Sequence, residues 1–175
     1  MSNKIFYGFI ILLIIGSVGY VGLTNKNKPE VPRPGTEQKD NGRDHVNGLS
    51  NIPNSRGEVP TSGQHDPNPL PWQSYDQEIP DARATHNLEH GGVYISYSPD
   101  LPPEQINKIK ALFFPPFSRK GFSPSKAIAA PRKADEAPII ISSWDRSLKL
   151  NSFDEEKLYN YYFYNTGKSP EPSAS

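Results

Sequence analysis

The chain has 175 residues with 19 Lys+Arg against 19 Asp+Glu, 19 Pro, 13 Gly and no Cys. That length suits one domain with extensions. The charge balance excludes a polybasic nucleic-acid binder, and the missing cysteines exclude a disulfide scaffold, a Cys-ligated zinc site and a thiol nucleophile.

Residues 5–23 carry no charge and are mostly apolar, from Ile5 to Leu23. As a helix this stretch is about 28 Å long, just enough for a hydrocarbon core of about 30 Å. Tyr7 and Tyr20 stand near its ends, where amphipathic rings prefer the interface. A cleaved signal peptide has a shorter apolar stretch, about 7–15 residues, ending in a small-x-small site. Val21-Gly22-Leu23-Thr24 matches that site poorly, so an uncleaved transmembrane anchor is expected. Lys4 precedes it while Lys26, Lys28 and Arg33 follow, so the charge rule does not favour a cytoplasmic N-terminus. The short tail, residues 1–4, and the long polar remainder instead suggest a signal-anchor with tail inside and domain outside the cytoplasm. Residues 24–41, with Pro29, Pro32 and Pro34, read as a Pro-rich spacer too poor in apolar side chains to fold alone.

Further on, Gly92–Tyr97 reads as a strand of β-branched and aromatic residues. Pro102-Pro103 opens a helix with Ile106, Ile109 and Phe113 on one face, stopping before Pro115. Ala127–Ala130 and Pro138–Trp144 read as two strands joined by a charged turn, expected to pair antiparallel. Ser152-x-x-Glu155 has the pattern of a capping box for a helix from about Phe153 to Tyr164. The order βαββα implies an α+β fold, a small mixed sheet with helices packed on it and a loop-rich first half. The last helix carries Tyr159, Tyr161, Tyr162, Phe163 and Tyr164. One face is expected in the core with hydroxyls reaching solvent; the competing readings are a ligand cage, a surface for an envelope partner or a membrane-facing patch.

All four histidines precede this core. His86-Asn87-Leu88-Glu89-His90 puts two imidazoles one turn apart on a helix that Pro80-Asp81 would start and Gly91 would end. Pro60-Thr61-Ser62-Gly63-Gln64-His65 is a turn-forming run that delivers a third. Neutral imidazoles suit zinc, copper, nickel or iron. His65, His86 and His90 are therefore candidate ligands, with His45 or Glu89 as a fourth and zinc or copper as the candidate ion. Residues 57–91 have few apolar side chains, and a bound ion can substitute for core there. The bland alternative is that His86 and His90 make structural hydrogen bonds to loop carbonyls.

His86-x-x-Glu89-His90 also fits the inverted zinc-peptidase pattern, with Glu89 as catalytic base and Glu155 or Glu156 as third ligand. Against it stand the early stop at Gly91-Gly92, the small domain and an unexplained His65. Ser62, His65 and Asp66 are too close in sequence to imply a triad.

The segments Pro60–His65 and His86–Val93 resemble the two signature segments of the bacterial family called domain of unknown function 3105. Looser similarity continues through Ala130-Pro131-Arg132, Ile140–Trp144 and Phe153–Glu156, and Asp44-His45-Val46 is similar to the family's N-terminal histidine motif. The resemblance covers about residues 42–171, leaving 172–175 as a tail. Glu58-Val59-Pro60 departs from the family's Pro-Pro pair, and Pro67–Pro80 is an insert compatible with a surface loop. The resemblance implies a single-span or secreted protein with its domain outside. It implies no activity, so the metal reading rests on the residues themselves.

Overall fold

A computed structural model describes residues 32–54, 57, 59–122 and 125–174, together with residues 7, 10, 11 and 13–15. The chain divides into two units, Met1–Pro32 and Arg33–Ser175. In the first, Tyr7, Ile10, Ile11, Leu13, Ile14 and Ile15 are helical and all exposed. The rest of the expected anchor, and residues 24–31 of the spacer, lie outside the described residues. Among the described residues, no helix is long and apolar enough to cross a membrane.

The second unit is a mixed α+β fold built on one sheet. Its strands are β1 (Thr36–Glu37), β2 (Val93–Tyr97), β3 (Ala127–Pro131), β4 (Ile139–Ser143) and β5 (Arg146–Leu150). Its helices are α1 (Asp81–Glu89), α2 (Pro103–Phe113) and α3 (Glu155–Asn165), with a 3₁₀ turn at Leu49–Asn51. The strand order is β1-β5-β4-β2-β3, with β2 and β3 parallel and the other pairs antiparallel.

Period two in the strands sends alternate side chains to opposite faces. Val93, Ile95, Ala127, Ala129, Ile139 and Ile141 meet Ile109, Leu112 and Phe113 of α2 and Leu158, Tyr161 and Tyr162 of α3. Tyr94, Ile128, Ala130 and Ile140 point the other way, to Ala84 and Leu88 of α1 and to Leu70, Ile79 and Trp144. Burial on both faces explains why β2 to β4 read as unbroken apolar runs rather than alternating ones.

Several expectations need correction. Ala127–Pro131 and Ile139–Ser143 do not pair with each other, because β2 lies between them. They are therefore about 9.6 Å apart, a gap that the connection through Arg132 steps over. β4 pairs with β2 on one side and with β5 on the other, the latter across a two-residue turn in which Asp145 has φ 54°. β5 escapes a sequence reading because only Leu148 and Leu150 of its five residues are apolar, too short a pattern to stand out, and Trp144-Asp145 is not a usual turn pair. Helix α3 is capped by Asp154, whose Oδ1 accepts from the Lys157 backbone N–H at 3.0 Å, and not by Ser152. The Phe153 N–H is instead donated to Gln105 Oε1 at 2.7 Å.

Residues 33–41 pack on the domain although composition assigns them to the spacer. β1 pairs with β5, and Arg33 Nε donates to Asn165 Oδ1 at 2.9 Å. Backbone hydrogen bonds, unlike core packing, need no apolar residues. The Pro67–Pro80 insert is not a free surface loop either. Tyr75 N–H donates to Ala129 O at 2.7 Å and Ala129 N–H to Gln73 O at 3.2 Å, so it covers the edge of β3. Leu70 enters the core and Trp72 packs against it.

Candidate metal centre

Helix α1 is positioned at both ends by polar contacts. Pro80, with φ −64°, sets its first turn, and Asp81 opens it with a buried carboxylate. Arg132, fully buried behind β3, grips that carboxylate with Nε–Oδ1 at 3.0 Å and Nη2–Oδ2 at 2.8 Å. Its Nη1 donates to Asp135 Oδ1 at 2.9 Å and to Gly57 O at 3.1 Å. Burial pushes the Asp81 and Asp135 carboxyls up, and the guanidinium opposes that.

Further along, Asn87 clamps Leu70, accepting from its N–H and donating to its carbonyl, both at 2.8 Å. The helix stops because Gly91 takes φ 81°, a conformation that favours glycine. A Cβ there would stand 3.1 Å from Gly167 Cα and 3.2 Å from Pro172 Cα. Lys126 Nζ seals this end by donating to the carbonyls of His90, Pro172 and Ala174 at 3.0, 3.1 and 2.8 Å.

The other two histidines arrive on a short parallel ladder. Gly63 N–H donates to Gly42 O at 2.7 Å, His65 N–H to Asp44 O at 3.0 Å, and Val46 N–H to His65 O at 2.8 Å. The resulting bridge sets His45 beside His65. Their ring centroids are 4.7 Å apart, and those of His45 and His86 are 4.8 Å apart in a near-parallel stack. One ring nitrogen each of His45, His65 and His86 could serve as a ligand, and these three lie within 4.8 Å of one another. His90 adjoins them, with Nε2 at 2.9 Å from His86 Nε2. Glu89, 1% exposed in its side chain, puts Oε2 at 3.1 Å from both His45 Nε2 and His65 Nε2. All five residues singled out from the sequence therefore meet.

Tautomers follow from the outer contacts. His65 Nδ1 lies 2.8 Å from Gly63 O, and His86 Nδ1 lies 2.7 Å from Asp66 O. A carbonyl only accepts, so both Nδ1 atoms carry the hydrogen, and each ring in its neutral form would present a lone pair at Nε2. Burial holds the His86 imidazolium below its ordinary pKa, and His90, His65 and His45 push the same way, while the Asp66 carbonyl opposes them. Lone pairs at His65 Nε2 and Glu89 Oε2, 3.1 Å apart, repel unless a cation lies between them. A proton or a metal ion meets that demand. Imidazoles held through Nδ1–H by backbone carbonyls are the usual outer shell of metal-ligating histidines.

Three supporting parts were not read from the sequence: the Arg132 network, the Asn87 clamp, and Trp144, whose ring lies 6.3 Å from that of His65. An arginine beside an apolar strand was the available signal for the first. Ser62 is a latch rather than a nucleophile, since its Oγ accepts from Asn41 N–H at 2.9 Å and donates to Lys39 O at 3.3 Å. Asp66 accepts from Asn68, which together with Ser50 holds its carboxyl down at about 2. Glu155 and Glu156 do not join the cluster. They pair with Arg119 at 3.6 and 2.8 Å in the first turn of α3, a helix packed on the opposite face of the sheet.

No curated protein and no solved structure matches the chain. The family described as Protein of unknown function (DUF3105) matches residues 54–175. That range contains His65, His86, Glu89 and His90, while His45 precedes it. By this match over most of its length, the chain belongs to the DUF3105 family.

Proposed function

We propose that this protein is a membrane-anchored extracytoplasmic module that binds a divalent transition metal, zinc or copper, through His45, His65 and His86, assisted by His90 and Glu89. The observation that carries the metal reading is the convergence of His45, His65 and His86 nitrogens within 4.8 Å of one another, with Glu89 Oε2 3.1 Å from two of them and two rings held by backbone carbonyls. At metal–nitrogen distances of about 2.0–2.1 Å, neighbouring ligands stand about 2.9–3.4 Å apart. The donor set is nitrogen and oxygen without sulfur, which suits Cu²⁺ or Zn²⁺ and disfavours Cu⁺. Anchoring is supported by the uncharged residues 5–23 and by the exposed apolar side chain at every described position of the first unit. Such a surface calls for a cover.

A hydrolase using Glu89 as general base has less support. A base must reach a water at an open coordination position. Glu89 is buried, and its Oε2 is turned to His45 and His65. A metal-free interaction module leaves the facing lone pairs to be bridged by protons alone.

The test is elemental analysis of the full chain purified in detergent, with melting followed in the presence of zinc, copper or chelator. One metal per chain is expected, with chelator lowering Tm, and His86→Ala should lose both the metal and the chelator response. At a hundredfold excess over Kd, a ligand stabilises by about 2.7 kcal/mol. A metal-free protein whose Tm ignores all three additions would overturn the reading.

A further inference from the structure

Tyr161 and Tyr162 of α3 point inward, and their hydroxyls do not reach solvent as expected. Tyr161 donates to Arg146 O at 2.6 Å, and Tyr162 accepts from Lys126 N–H at 3.0 Å. Neither ring is free to cage a ligand. The accessible chemistry of this unit lies at one edge of the histidine cluster.

The members of that cluster are not held alike. His65 and Glu89 are buried, as are His86 and His90. The side chain of His45 is 43% exposed. His65 and His86 are each fixed from behind by a backbone carbonyl on Nδ1. Among the described residues the His45 ring has no such contact, and its one hydrogen bond joins Nε2 to Glu89 Oε2. Outer contacts of that kind are worth about 10–100-fold in metal affinity. The backbone around His45 is also lightly held. Residues 39–45 are exposed throughout. Their hold on the Ser62–His65 run consists of the backbone bonds of the ladder and the Asn41 N–H donated to Ser62 Oγ. Exposed backbone bonds without apolar packing mark the segments that open most readily. His45 can therefore leave the cluster while the four buried donors stay in place.

We infer that the metal is exchangeable cargo and that His45 is the ligand over which it is passed. An acceptor carrying nitrogen and oxygen donors enters at the His45 edge, displaces that imidazole and draws the ion out. This deepens the metal-binding reading above and rests on it. The bond from the ion to His45 Nε2 breaks as a lone pair of the acceptor forms a new one. The ion stays divalent throughout, and no electron changes hands. Further donors of the acceptor then replace the buried ligands. Water supplies the proton that Glu89 and His65 share once the ion has gone. Loading runs the same steps in reverse. A divalent ion held by imidazole and carboxylate passes with least loss to another set of nitrogen and oxygen donors, such as the histidines of a partner.

The test uses the full chain in detergent, loaded with zinc and mixed with 4-(2-pyridylazo)resorcinol, a nitrogen and oxygen chelator whose colour reports the transferred ion. The transfer rate should rise in proportion to resorcinol concentration. His45→Ala should still take up zinc through the buried donors and release it about tenfold faster. The chain has no native cysteine, so Arg43→Cys and Glu104→Cys can each carry a single polyethylene glycol maleimide. Arg43 stands two residues from His45, while Glu104 is in α2 on the opposite face of the sheet. The label at 43 should abolish the dependence on resorcinol, and the label at 104 should leave it unchanged. A transfer rate that ignores resorcinol, a His45→Ala variant as empty of zinc as His86→Ala, or equal rates with both labels would overturn the exchange and leave metal binding intact. A wild-type chain that takes up no zinc or copper overturns both.

Discussion

On the face of the sheet covered by α2 and α3, the contacts are mostly apolar: Phe113, Phe122, Leu112, Ile109 and Leu158 are buried together with the rings of Tyr161 and Tyr162. On the face covered by α1, ten buried apolar residues share the space with Arg132, Asp81, Asn87, Glu89 and three buried histidines. The first face is held by removal of hydrocarbon from water, worth about 1.5–3 kcal/mol for each large side chain fully buried. The second is held by directional contacts that need every partner in place. The difference teaches where chemistry is affordable in a small domain. A rigid apolar half fixes the sheet, and the other half can then carry buried charges converging on one point.

Four substitutions test that contrast, from the largest expected effect to the smallest. Phe113→Ala empties a fully buried site of the apolar face and should cost about 3–5 kcal/mol. Chemical unfolding should show the same loss with metal or with chelator. A loss that vanishes when metal is added would mean the faces are not independently held.

Arg132→Met leaves Asp81 and Asp135 buried without their partner, a change of about 3–5 kcal/mol. Burial already raises both carboxyls, and removing the cation raises them further. A folded-state pKa above the unfolded one stabilises below the unfolded pKa and loses that contribution as pH rises through the folded value. The variant should therefore regain stability relative to wild type on acidification, measured by chelator-treated unfolding at several pH values. It should also bind metal more weakly, because α1 loses its anchor. A pH-independent difference would break the account of this face.

Gly92→Ala tests the seam between the insert and β2. A Cβ at Gly92 would run into the Trp72 ring and stand 2.8 Å from Lys126 O. Overpacking there should cost about 1–3 kcal/mol, with changed Trp72 fluorescence. An unperturbed Tm would show that the insert is loosely held.

Asp154→Ala removes the cap of α3 and should lower Tm only slightly. The backbone N–H of Lys157 holds the Asp154 carboxyl below its ordinary value. That contribution is present above the ordinary carboxylate range and is lost as pH falls through the depressed value. The Tm difference should therefore shrink in acid; a constant difference would remove the cap as its cause.

Much of this fold was legible because apolar period and helix-stop residues are local signals. β2, α2, β3, β4 and α3 fall within a few residues of where the sequence places them. β5 was not legible, because only Leu148 and Leu150 of its five residues are apolar and it opens on Arg146, whose side chain is engaged by the carbonyls of Arg33 and Gly35. Neither was the placement of residues 33–41, whose contacts combine the backbone pairing of β1 with polar side-chain bonds such as Arg33 to Asn165 and Gln38 to Ser147, none of which leaves an apolar pattern. The convergence of His45 with the other histidines was legible only as a candidate. Its ring is brought in by a parallel bridge, and pairing between distant segments leaves no mark on local composition.

The sequence by itself determined the elements, the clustering of histidine chemistry before the core, and the uncharged N-terminal stretch. Each is written in side-chain type and spacing along a few turns of chain. Only the tertiary structure decided that β2 separates β3 from β4, that Arg132 fixes the start of α1, and that Glu89 Oε2 stands 3.1 Å from His45 and His65 Nε2 while His86 and His90 Nε2 stand 2.9 Å apart. Those outcomes depend on which distant groups share a buried space, and burial makes an unpaired charge or lone pair costly enough to select one arrangement.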